Sequence, residues 1–210
     1  MTTRSWTRAA IPVAALALAA CHAARPEPLV PAGAAYQSRT QWGARAPVSA
    51  LREHTPDRIT IHHTATPQAP DRPLADKMRA LQRFSQGGGL LGNGQPKVPW
   101  ADVPYHFYIA VNGEIAEGRE LRYVGDSNTP YDPTGHLLIV LEGNFEHEDP
   151  PPAQLAALRQ LVQRAAERWH IAPERIGGHR DHASTRCPGE RLYQAIPSLR
   201  TLVTPIPAAR

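Results

Sequence analysis

Apolar and polar positions along this chain separate strands from helices. Arg58-Ile59-Thr60-Ile61-His62-His63-Thr64 is β-branched and apolar until it meets polar residues at its C-terminal end, the pattern of a buried strand. Side chains alternate along a strand, so Ile59, Ile61 and His63 share one face and Thr60, His62 and Thr64 the other. On this pattern His62 is the exposed histidine and His63 the packed one. Residues 105–111 form a second strand. Asn112-Gly113, followed by Glu114-Ile115-Ala116-Glu117, marks a hairpin, because a two-residue turn needs the positive φ that Asn and Gly tolerate. Residues 137–141 are wholly apolar and predict another buried strand.

Elsewhere the period lengthens. Residues 152–169 place Leu155, Leu158, Leu161, Val162, Ala165 and Trp169 at helical spacing, a stripe that reads as core. Asp149 and the prolines after it suit the helix start, and Pro173 its stop. A second helix is expected over 71–86, with Leu74, Met78, Leu81 and then Phe84 or Ser85 along one side. Gly87-Gly88-Gly89 ends it, and a long loop, either a groove wall or a surface insertion, runs to Pro99. A last helix over 190–202 is interrupted by Pro197. Residues 125–135 show no period. Strands alternating with helices predict an α/β fold, a mixed central β-sheet flanked by helices in a single domain.

Composition sharpens the boundaries. A 210-residue chain with 41% hydrophobic residues suffices for one core. Its 22 prolines and 15 glycines gather in loops and at both ends, which implies long irregular connections. Residues 1–20 have the form of an export signal, with Arg4 and Arg8 ahead of an uncharged alanine-rich run too short to span a bilayer. The run ends in Leu18-Ala19-Ala20-Cys21, similar to the lipobox of bacterial lipoproteins, in which cleavage leaves an acylated cysteine. Lipid on Cys21 would anchor the protein to a membrane, and His22 after it suits outer-membrane sorting, facing the periplasm in a Gram-negative host. Residues 21–35 then read as a Pro/Ala-rich tether and 36–205 as the folded domain. The formal charge of +4 includes the two arginines of the signal, and no basic stripe appears, so nucleic acid is excluded as a partner.

The chemistry gathers in Gly178-His179-Arg180-Asp181-His182-Ala183-Ser184-Thr185-Arg186-Cys187-Pro188-Gly189. An imidazole and a thiol stand at the ends of a short polar loop, and zinc takes both donors readily. A catalytic zinc has three protein ligands and an open position, so one more histidine is needed, and His62 is the candidate. A closed structural site would add His63 or His182. With Cys21 acylated, Cys187 has no disulfide partner, and a thiol in an oxidising compartment is best explained as a thiolate held by metal.

Five ordered motifs resemble one family: Gln41-Trp42-Gly43-Ala44-Arg45, Ile59 through Thr66, Trp100 through Phe107, Glu142-Gly143-Asn144-Phe145, and Gly178 through Gly189. Together they are similar to the type 2 zinc-dependent N-acetylmuramoyl-L-alanine amidases, shared by phage lysozyme-type amidases and peptidoglycan recognition proteins. The resemblance implies Zn²⁺ on His62, His179 and Cys187. The residues alone leave Tyr105 and His106 as alternatives; the resemblance puts Tyr105 on the catalytic tyrosine and Thr185 two residues before the cysteine as its companion. His106 and His182 become structural or supporting groups. It also implies peptidoglycan or muropeptides as partner and cleavage of the bond between N-acetylmuramic acid and L-alanine; a monomer is expected, on no motif of its own. The rival expectation is a module of the same fold that binds peptidoglycan without cutting it. Some members carry a glutamate base where Val140 aligns here, and Glu142 is a weak substitute.

Cys21→Ala is expected to move the protein from the membrane fraction to the soluble fraction of lysed cells. Continued sedimentation with membranes would remove the lipobox assignment.

Overall fold

The apolar runs form the centre of one sheet. The computed structural model describes residues 29–30, 33–91 and 94–203. The expected export signal over 1–20 and the acylated Cys21 lie outside these residues. In chain order the elements are β1 (Tyr36–Gln37), α1 (Arg39–Trp42), β2 (Arg58–His63), α2 (Leu74–Gln86), β3 (Gly89–Leu90), β4 (Pro96–Lys97), β5 (Phe107–Ile109), β6 (Ile115–Glu117), β7 (His136–Leu141), α3 (Pro152–Trp169), β8 (Ile176–Gly178), α4 (Glu190–Tyr193) and α5 (Ile196–Arg200). The main sheet has the order β1-β6-β5-β7-β2-β8, and β3 with β4 makes a separate ribbon in the long loop after α2. β5, β7, β2 and β8 are mutually parallel, while β6 returns antiparallel to β5 through the Asn112-Gly113 turn, where Gly113 has φ 84°. The sheet is therefore mixed.

The two faces bury different partners. Ile59 and Ile61 of β2, Leu137, Ile139 and Leu141 of β7, and Phe107 and Ile109 of β5 pack with Leu158, Leu161 and Val162 of α3. Tyr108, Ala110, Ala116 and Val140 on the other face pack with Trp42 of α1 and Leu74 and Met78 of α2. Trp42 is fully buried and donates its indole N–H to Glu117 O at 2.7 Å. Ser38 and Gln41 close a capping box on this short helix, satisfying its first free N–H groups.

Several edges differ from the expectation. The second strand is shorter than 105–111, so Tyr105 and His106 precede it. α2 starts at Leu74, after Pro73, which has no N–H to offer the helix. Ser85 rather than Phe84 lies on its buried side, with Phe84 49% exposed. The last helix is two helices, and the break falls at Gln194 and Ala195, with Pro197 sitting harmlessly in the first turn of α5. The packed chain also begins ahead of Tyr36: Leu29, inside the expected tether, is 6% exposed and joins the α3-side core, with Val30 against it.

One buried ion pair ties the layers together. Lys77 Nζ of α2 lies 2.7 Å from Glu142 Oε2, both nearly sealed from water. Glu142 also accepts the N–H groups of Ala69 and Val111 at 3.0 and 3.2 Å. Removing one partner strands the other charge, so Lys77→Met is expected to cost about 3–5 kcal/mol in urea unfolding. Loss of less than about 1 kcal/mol, the range of a surface pair, would show the charge to be solvated.

Candidate metal centre

The parallel register sets the site. Thr60 and His62 leave β2 on the face away from α3, and His62 pairs across the ladder with Val140. Gly178, the end of β8, pairs with Ile61, so the next residue, His179, stands beside His62 with ring centroids 4.5 Å apart. Cys187 returns because its loop folds back on itself. Arg180 N–H donates to Cys187 O at 2.9 Å, and the Arg180 guanidinium donates to Arg186 O at 2.7 Å. Gly178 permits this closure, since a Cβ there would sit 2.8 Å from Pro188 Cδ and 3.0 Å from the Tyr193 ring. Asp181 Oδ2 accepts the Gly178 N–H at 2.8 Å and locks the turn.

One ligand atom each from His62, His179 and Cys187 lie within 4.8 Å of one another. Cys187 Sγ is 3.6 Å from His62 Nδ1 and accepts the His63 N–H at 3.4 Å, a contact suited to a thiolate. His63 is spent elsewhere, its Nδ1 accepting the Phe145 N–H at 3.3 Å. Among the described residues the cluster stops at three, so a closed four-ligand site is not formed.

His62 is not the exposed histidine its strand position predicts. It is 2% exposed because Tyr105 and His179 wall it in, with the Tyr105 ring centroid 5.2 Å away. Burial, then the neighbouring His179, holds the His62 pKa well below the ordinary range, and burial with His182 lowers His179 to about 4. Burial pushes the Cys187 thiol up to about 12. Two neutral imidazoles and a buried thiol that ionises against a cation fit zinc, whose binding displaces the thiol proton.

The remaining site residues divide by their contacts. Tyr105 flanks His62, and burial followed by Cys187 and Tyr131 raises its hydroxyl pKa, keeping it protonated. Thr185 Oγ1 accepts the Cys187 N–H at 3.2 Å. His106 points away into structure, with Nδ1 accepting the Leu138 N–H at 2.9 Å and Nε2 2.8 Å from Tyr123 O. Glu142 is consumed by Lys77 and by backbone N–H groups, and Val140 puts an apolar side chain beside His62. The sequence pattern missed the 125–135 loop. Its Thr129 Oγ1 lies 2.6 Å from His179 Nε2, and its Tyr131 ring packs against His179, His136 and His182. The polar, hydroxyl-rich letters just ahead of an apolar strand were the available signal.

The model of the N-acetylmuramoyl-L-alanine amidase family matches residues 52–190. This chain belongs to that family. Within it, the chain is 32% identical over 163 residues to peptidoglycan-recognition protein SD of Drosophila simulans, covering 76% of this chain and 82% of that one. The solved structure of wild-type Drosophila PGRP-LB superposes with a TM-score of 0.65 at 31% identity, covering 84% of this chain and 99% of that one. PGRP-LE, solved in complex with tracheal cytotoxin, a monomeric diaminopimelic acid-type peptidoglycan, superposes with a TM-score of 0.65 at 30% identity, covering 78% and 93%. These recognition proteins share the mixed sheet flanked by helices described above.

Acid should destabilise the zinc-free protein through its buried imidazoles. Burial lowers His106 to about 3, while its unfolded value is near 6.5, so the unfolded chain binds the proton first. Stability is whole above pH 6.5 and falls as pH drops toward 3, by up to about 1.4 kcal/mol per pH unit for this group. Urea unfolding at pH 7, 6 and 5 checks this, and a constant stability over that range would contradict it.

Proposed function

We propose that this chain is a zinc-dependent amidase that hydrolyses the bond between the lactyl group of N-acetylmuramic acid and L-alanine of the peptidoglycan stem peptide. The observation that carries the proposal is Cys187, the third donor of an open cluster with His62 and His179. Zinc on that set supplies Lewis acidity toward an amide carbonyl and acidifies water to a pKa of about 7. Tyr105, protonated and beside His62, donates a hydrogen bond to the oxygen on which charge develops. Thr185 accepts the Cys187 N–H and keeps its own proton for the same oxygen. Val140 has no carboxylate and Glu142 is paired with Lys77, so the proton passes from the attacking water to the leaving amine through solvent, with Tyr105 as hydrogen-bond donor only. Peptidoglycan or a muropeptide as partner is supported by the relatives, PGRP-LE among them.

The proposal extends to location: the protein is exported and acylated at Cys21, standing on the outer membrane toward the periplasm in a Gram-negative host. The Leu18-Ala19-Ala20-Cys21 run and His22 support it.

Purified protein lacking residues 1–20 is to be incubated with peptidoglycan, with and without a zinc chelator, and the products identified by mass spectrometry. Chelator-sensitive release of stem peptides with a free L-alanine amine is expected. Binding without release by zinc-loaded protein would assign a recognition module instead. Cys187→Ser should lose zinc and activity together, and Tyr105→Phe should keep zinc while turnover falls about 10²-fold or more, the scale of one lost oxyanion donor. Full activity in metal-free Cys187→Ser, or an unchanged rate in Tyr105→Phe, would remove those roles.

A further inference from the structure

A metal-bound histidine ordinarily donates its second ring N–H to a carboxylate, a carbonyl or water, and that partner fixes both tautomer and ring orientation. His179 has a different partner. Its Nε2 lies 2.6 Å from Thr129 Oγ1 and 3.3 Å from Ser127 Oγ. The two hydroxyls are 2.8 Å apart, and the Thr129 N–H donates to Ser127 Oγ at 3.2 Å, so they hold each other in one short turn. That turn is itself pinned. Arg119, 2% exposed, donates to Val103 O at 2.9 Å, to Asp102 O at 3.1 Å and to Val124 O, and pairs with Asp126 immediately before the turn. A rigid arginine knot thus fixes two hydroxyls against one ring nitrogen of His179.

We propose that Thr129 is a positioning residue for the metal centre: its hydroxyl takes the His179 Nε2–H and leaves Nδ1 as the nitrogen presented to the metal. The proposal rests on the zinc amidase reading above. A threonine hydroxyl can accept from the imidazole while donating onward to Ser127, so both hydroxyls are satisfied without a charged group beside the ligand. Turning the ring over would put Nδ1 against the hydroxyl and leave Nε2 as the nitrogen free for the metal. Thr129 therefore selects one of two ring orientations. Ser127, longer in its contact, supports Thr129 more than it supports His179.

The test is zinc affinity, read by competition with a chromophoric chelator at neutral pH on the full mature chain. Thr129→Val keeps the shape and removes the acceptor, and its zinc dissociation constant should rise about 10–100-fold. Thr129→Ser restores the hydroxyl and should return the affinity to within a few-fold of the native protein. Thermal unfolding of the zinc-free variants separates folding from binding, and Thr129→Ala replaces the valine variant should that one not fold. Folded Thr129→Val or Thr129→Ala with native zinc affinity, or Thr129→Ser as weak as Thr129→Val, overturns the assignment. Failure of the native protein to bind zinc removes the amidase reading as well, whereas native binding with indifferent Thr129 variants removes this assignment alone.

Discussion

The register between β2 and β7 pairs Ile59 with Leu137, Ile61 with Ile139 and His62 with Val140, and the centre of the molecule follows from it. A slip of one residue would turn His62 into the α3-side core and bring Ile59 and Ile61 out against the polar loops. The alternation of large apolar side chains on one face and Thr60, His62 and His136 on the other makes such a slip prohibitively expensive. β8 inherits the same register through Ile59 and Ile61, and this brings His179 alongside His62. Hydrophobic packing on one side of the sheet thus fixes the geometry of the His62, His179 and Cys187 cluster on the other.

Burial then selects the chemistry. The donor groups sit where charge is costly, so the imidazoles are neutral and the thiol keeps its proton until a cation displaces it. The same low-dielectric setting holds the Tyr105 hydroxyl as a donor rather than a phenolate. Glu142, on the neighbouring strand end, is paired with Lys77 and joins the layers of the fold.

Much of this was legible in the letters, and the exceptions have physical causes. α3 was readable end to end because its apolar stripe repeats over five turns between proline signals. His179 and Cys187 stood out because donor types closed a short polar loop, and His62 because strand alternation set it apart from His63. α1 is too short to show a period, although Ser38 and Gln41 carried its capping box. β8 hid behind two glycines that are there for close packing, not for strand propensity. Thr129 and Tyr131 leave only a polar, hydroxyl-rich run as a trace, because His179 is far along the chain and no local pattern encodes a contact made only by the fold. The exposure of His62 was misjudged for the same reason: alternation gives the face, whereas Tyr105 and His179 decide how deep that face lies.

Leu29 has a bearing on orientation. It enters the core on the α3 side of the sheet, whereas His62 points from the opposite side. The chain from Cys21 to Leu29 spans at most about 30 Å even when fully extended, comparable with the breadth of the domain it holds. For a protein acylated at Cys21, so short a leash governs heading as well as reach. Under the proposed anchor the α3 side would be drawn toward the lipid and the His62 face would turn outward, so the lipid would set the direction in which the His62, His179 and Cys187 cluster points.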